Sequence, residues 1–174
     1  MREKSISKYG KSKYEIENVF SKENGISLRA GVVYGEQVGG IFAQLVFLIK
    51  SSPVIPIPFR GSPMLFTTHI DDLIEEISLS LEQIDGLTTF AAHPMPITLN
   101  SLCLQIQNSL GTSKHTIKVW RQPLEIFLRF LTYFFPNFPM ADSLLSLSRE
   151  ASYEELSRLK TAQSNFRSFR IDSE

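Results

Sequence analysis

The chain's 174 residues are enough for one domain with a sizeable core, and a hydrophobic content of 43% is that of a globular protein. Eighteen Lys and Arg balance 18 Asp and Glu, so the formal net charge is zero and no partner recruited by charge, nucleic acid above all, is implied. Cys103 is the single cysteine, so an internal disulfide is excluded, which fits a reducing, cytoplasmic setting.

The N-terminus is charged and polar and does not read as a signal peptide. Residues 8–23 are predicted helical, with Ile16, Val19 and Phe20 as the apolar face and Asn24-Gly25 as the stop. Residues 26–34 read as a strand whose unbroken apolar character suits a buried parallel position. Residues 39–51 form a helix that is apolar nearly all round and is therefore expected to be buried. Ser52-Pro53 ends it. Val54 to Phe59 carries prolines and reads as an edge strand or extended loop, followed by a turn at Arg60-Gly61-Ser62-Pro63. Leu65 to His69 is a short strand. Asp71 or Asp72 then caps a helix to about Ile84, with Leu73, Ile77 and Leu81 as its stripe. Thr88 to Ala92 is another short strand. Thr98 caps a helix over Leu99 to Leu110, which Gly111 closes. Thr116 to Trp120 is extended. Pro123 opens an apolar helix through Phe135, and Pro136 to Pro139 force a loop. Residues 141–148 and 152–160 read as short helices, and the polar tail after Thr161 as irregular. The longest apolar runs, Gly40 to Ile49 and Ile126 to Phe135, fall short of the ~20 residues that cross a bilayer, so no integral membrane segment is expected.

Two stretches carry chemistry. Tyr9 and Lys13, four apart, share one face of the first helix. The strand Ile26 to Tyr34 follows and ends at Gly35. That layout suits a tyrosine proton donor beside a nucleotide cofactor. His69 with Asp71 and Asp72 has no second histidine at metal-binding spacing and is read as structural, so no metal is expected. His93 and His115 are isolated. Gly39-Gly40 lacks the context and the lysine of a phosphate loop. The Phe-rich segment 127–138 is read as a substrate-side helix rather than a membrane or partner surface.

Tyr9-Gly10-Lys11-Ser12-Lys13 on a helix, Leu28-Arg29-Ala30-Gly31-Val32-Val33-Tyr34-Gly35 on a strand and Thr68-His69-Ile70-Asp71-Asp72-Leu73 opening a helix occur in a specific order and spacing. Together they resemble the extended short-chain dehydrogenase/reductase family, in particular its NAD-dependent epimerase/dehydratase type, over residues 5–110. The resemblance implies an α/β fold: the C-terminal half of a Rossmann-type, doubly wound sheet with a small, mostly helical substrate-side subdomain. Residues 1–95 would then belong to the cofactor domain, with substrate-side segments interleaved near 36–64, and residues 96–174 to the substrate side. It implies NAD or NADP as cofactor and a small-molecule substrate. It makes Tyr9 the catalytic acid/base and Lys13 both its electrostatic partner and a ribose ligand. Ala30, Gly31 and Val32 would lie beside the nicotinamide, although the family usually has proline where Ala30 stands.

Two departures bear on the substrate and the cofactor. The phosphate-binding arginine of sugar-nucleotide epimerases is replaced by Leu65, and Arg60 in the preceding turn is the candidate substitute. The family's N-terminal half, with its Gly-x-x-Gly-x-x-Gly turn, has no counterpart in these residues. The chain is therefore expected to be N-terminally truncated, to bind NAD or NADP weakly by itself, and to associate as a homodimer or with a missing half. The alternative is a non-catalytic interaction or assembly protein on a decayed dehydrogenase scaffold.

Overall fold

The computed structural model describes residues 8–23, 25–58, 64–81, 88–120 and 165–171. In chain order these form α1 (Lys8–Lys22), β1 (Ser27–Ala30), β2 (Val32–Tyr34), α2 (Gly40–Ser51), β3 (Val54–Pro58), β4 (Met64–Leu65), β5 (Thr67–His69), α3 (Ile70–Leu81), β6 (Thr88–Ala91), β7 (Ile97–Thr98), α4 (Leu99–Ser109) and β8 (His115–Val119). Helices alternate with mostly parallel strands, so the fold is α/β as expected. Arg60, the Phe-rich segment 127–138 and the helices expected over 123–135, 141–148 and 152–160 lie outside the described residues.

The strand expected over 26–34 is interrupted at Gly31, and its two pieces have different neighbours. β1 runs parallel to β6, with Ser27 opposite Thr88 and Ala30 opposite Ala91. β2 runs parallel to β5, with Val32 opposite Thr67 and Tyr34 opposite His69. Past Gly31, β5 stands between the diverging strands. On one side Val32 N–H donates to the Phe66 carbonyl (2.7 Å), and on the other His93 N–H donates to the Thr67 carbonyl (2.9 Å). The strand expected over 65–69 is likewise two: Met64 and Leu65 pair antiparallel with Thr98 and Ile97 before β5 turns parallel. β3 pairs in parallel with β8, from Val54–His115 to Pro58–Val119. Pro56 and Pro58 are two apart, so their missing donors fall on a single edge of β3 and the other edge is free to take β8.

Three helix faces differ from expectation. In α2 only Leu45 and Ile49, one turn apart, are fully buried, and Phe47 on another face is exposed, so the helix is not enclosed all round. In α1 the apolar residues Ile16, Val19 and Phe20 point outward. In α3 the expected stripe is not the packed side: Ile77 and Leu81 are exposed, whereas Asp72 and Ser80, eight apart, are buried. Neither Asp71 nor Asp72 is the cap, because α3 begins at Ile70 and both sit in its first turn. The ends of α4 agree with the sequence. Thr98 Oγ1 accepts from Ser101 N–H (3.1 Å). After Leu110, Gly111 adopts φ 61° and Thr112 N–H returns to the Gln107 carbonyl (3.0 Å).

The main core gathers Tyr34, Leu45, Ile49, Ile55, Ile57, Leu65, Leu99, Leu102, Cys103, Ile106 and Phe169. Phe169 comes from the tail that the sequence gives as irregular. Residues 165–171 indeed have no regular hydrogen bonding, yet they are docked as a strap. Phe166 and Phe169 are buried. The Phe169 ring stands edge-on to Tyr34, 4.6 Å between centroids, and Tyr34 Oη donates to the Ser168 carbonyl (3.1 Å). Asp72, 8% exposed, uses both oxygens on Arg167: Oδ2 accepts the backbone N–H (2.8 Å) and Oδ1 meets Nη2 (2.7 Å).

Arg167→Gln leaves the Asp72 carboxylate buried with only its backbone donor. Because Arg167 is half exposed, the expected loss is about 2 kcal/mol, below that of a fully buried pair. A lower urea midpoint and faster tryptic cleavage after Arg170 measure it, and Arg170→Gln serves as the neutral control for the urea midpoint. Burial also pushes the Cys103 thiol up from 9.0 to about 11. Cys103 therefore contributes stability that is fully present below pH 9 and is lost as pH rises to about 11. Cys103→Ala should remove that part of the alkaline loss in pH-dependent urea melts, and the native thiol should resist Ellman's reagent at neutral pH.

Candidate functional site

Tyr9 and Lys13 lie one turn apart in α1. One further turn on, Glu17 Oε1 accepts from Arg29 Nε (2.9 Å) and Nη2 (2.6 Å). Both side chains are largely shielded, and the two donors of one guanidinium fix its plane as well as its distance. The pair locks α1 to β1 directly before Ala30. Three of the expected site positions follow at once: Ala30 is the exposed last residue of β1, Gly31 lies between the strands, and Val32 opens β2. The structure thus brings the helix of Tyr9 and Lys13 and the 30–32 segment onto consecutive, mutually anchored elements.

Gly31 sits where the sheet divides. A Cβ there would overlap the backbone of Phe66, so only glycine lets that carbonyl approach and receive Val32 N–H. Thr68 closes the same junction with its side chain. Its Oγ1 accepts from Gly31 N–H (3.0 Å) and donates to the Ala91 carbonyl (2.6 Å). Ligands of open α/β sheets bind in the crevice outside the carboxyl ends of the strands, where neighbours diverge. Ala30 and Val32 flank such a divergence.

At the carboxyl end of β2 and β5 the Tyr34 and His69 rings meet edge-on with centroids 5.1 Å apart. Asp71 N–H donates to His69 Nδ1 (3.2 Å), so the neutral ring carries its proton on Nε2. These contacts fit the structural role expected for His69. Asp72 and Arg167 hold the strap over the same end. The contacts of Thr68, Asp72 and Arg167 escaped the sequence reading. The spacing Phe166-x-x-Phe169 around a charged residue in an otherwise polar tail was the one signal that the strap docks. Among the described residues, no three His, Cys, Asp or Glu come together as a metal site, and no helix is long and apolar enough to cross a membrane.

No family model matches this sequence, and no curated protein matches it. Solved structures do share its shape. A dTDP-4-dehydrorhamnose reductase from Bacillus anthracis in complex with NADP aligns with a TM-score of 0.54 at 19% identity, over 66% of this chain and 41% of that one. TunA, an NAD-dependent NDP-hexosamine 5,6-dehydratase of tunicamycin biosynthesis, aligns at 0.52 and 15%, over 63% and 40%. A UDP-glucose 4-epimerase from Thermotoga maritima with UDP-glucose aligns at 0.51 and 21%, over 67% and 42%. The chain thus spans about two-fifths of the length of these structures. At such identities the likeness establishes the fold: this chain is a Rossmann-type α/β protein.

Proposed function

We propose that these residues supply the acid–base half of a nicotinamide-dependent epimerase, dehydratase or related oxidoreductase of the extended short-chain dehydrogenase/reductase type. The observation that carries this is the placement of Tyr9 and Lys13. They lie one turn apart on α1, and the Glu17–Arg29 pair anchors the next turn to the strand running into Ala30, Gly31 and Val32. The residues present fit the nicotinamide end of NAD or NADP, since Ala30 is exposed beside the point where the strands part. Bound NAD or NADP supplies hydride transfer. Tyr9 exchanges a proton with the substrate's hydroxyl or carbonyl oxygen. A free phenol, with a pKa of ~10, is a poor base near neutrality, and the ammonium of Lys13 favours the phenolate and lowers that value. Lys13 also binds the ribose. In this reading residues 1–95 belong to the cofactor domain and residues 96–174 to the substrate side. The substrate is a sugar nucleotide or a similar hydroxyl or carbonyl compound, a reading that the three similar structures support as enzymes of nucleotide-sugar chemistry, with Arg60 as its phosphate ligand.

A second reading, an assembly protein on the same scaffold, is favoured by one observation: Ile16, Val19 and Phe20 form an exposed apolar stripe on α1. The same stripe suits a homodimer of the enzyme.

Tyr9→Phe removes one hydroxyl and should leave the fold intact while turnover falls by ~10²–10⁴ in the protein as the cell makes it. Lys13→Met should lower turnover and weaken NAD(P)H binding together, and Lys13→Arg should not fully restore either, because a planar fork does not replace a compact ammonium. Parental turnover by Tyr9→Phe would sink the enzymatic reading.

A further inference from the structure

We propose that Thr68 is a positioning residue of this site: its hydroxyl holds the Ala30–Val32 peptide at the floor of the crevice where the sheet divides. The inference rests on the reading of that segment as the nicotinamide-side wall. Thr68 is 0% exposed, in the middle of β5, a place where an apolar β-branched side chain would pack equally well. A buried hydroxyl there needs a reason, because leaving one unpaired is costly. The junction gives it two partners. Gly31 lies between two ladders, and its N–H goes to Thr68 Oγ1 rather than into either ladder. The Ala91 carbonyl, at the end of β6, takes the hydroxyl proton. One hydroxyl therefore ties three strand segments together: the break between β1 and β2, the end of β6, and β5 itself. The tie is made where Ala30 opens to solvent and where the parallel strands part.

This arrangement has a directional consequence. The Phe66 carbonyl pulls Val32 toward β5, and the β6 ladder holds Ala30 on the other side. The Gly31 peptide is the hinge between these pulls, and the Thr68 hydroxyl fixes its tilt. Without that hydroxyl, the Gly31 N–H and the Ala91 carbonyl lose their shared partner, and the Gly31 peptide is held only by its neighbours, Ala30 in the β6 ladder and Val32 on the Phe66 carbonyl. A ligand packed on those backbone atoms then meets a wall of the wrong shape. Substrate contacts made elsewhere are unaffected.

The test uses Thr68→Val, which keeps the shape and drops the hydroxyl, and Thr68→Ser, which keeps the hydroxyl and drops a methyl. Should Thr68→Val not fold, Thr68→Ala against Thr68→Ser compares the same hydroxyl. Two readouts are taken on the protein as the cell makes it. Amide hydrogen exchange at Gly31 and Val32 should rise in Thr68→Val and return toward the parent in Thr68→Ser. NADH and NADPH fluorescence titration should show about tenfold weaker binding in Thr68→Val, with Thr68→Ser near the parent. The KM for the second substrate should stay unchanged. Unchanged exchange in Thr68→Val, or equal damage in both variants, overturns the role of the hydroxyl whatever the cofactor does. If the parent protein binds neither NADH nor NADPH while exchange responds as expected, the nicotinamide reading fails, and with it the link from Thr68 to binding. Equal NADH affinity in parent and Thr68→Val overturns that link alone.

Discussion

The carbonyl of Phe66 occupies the space in which any side chain on residue 31 would have to sit, and the change of strand partners at the candidate site follows from that approach. Because Gly31 has no Cβ, the Phe66 backbone comes close enough to accept Val32 N–H. That bond ends the pairing of β1 with β6 and begins the pairing of β2 with β5. Once β5 stands between the two strands, their carboxyl ends diverge. A parallel sheet that keeps its neighbours offers no crevice there, whereas one that changes them does. The same step carries His69 to the end of β5 opposite Tyr34 and starts α3 immediately afterwards.

Two carboxylate–guanidinium pairs then act on different links of the structure. Glu17 and Arg29 join consecutive elements, so their pair orients α1 on the sheet at little cost in chain entropy. Asp72 and Arg167 are 95 residues apart in sequence, and their contact brings a distant segment onto the first turn of α3. Here the apolar burial of Phe166 and Phe169 does most of the holding, and the charge pair sets the register of the strap. Asp72 is the more deeply buried partner, so its desolvation is offset only while both Arg167 donors are in place.

The exposed apolar residues of α1 and α3 belong to the same picture. Ile16, Val19 and Phe20 on one helix and Ile74, Ile77 and Leu81 on the other are spaced as packed faces, yet they point outward.

The order of helices and parallel strands was legible in the sequence, as were the Thr98 cap, the Gly111 stop and the prolines that confine β3 to one pairing edge. Each depends on backbone chemistry within a few residues. The three ordered blocks around Tyr9, Gly31 and His69 also pointed to the Rossmann-type fold. The sequence by itself did not determine which strand each stretch pairs with. Residues 26–34 and 65–69 read as single strands because apolar runs carry no record of their neighbours, and a change of partner leaves no periodic mark. Nor did it determine the tail: Phe166, Arg167 and Phe169 find Tyr34 and Asp72 across most of the chain. Asp71 or Asp72 read as a helix cap because capping is a local rule, but α3 begins at Ile70 and places both in its first turn, and only the tertiary structure brings Arg167 onto Asp72. Thr68 shows the same limit, since a threonine in a strand is ordinary, and only the division of the sheet gives its hydroxyl two backbone partners.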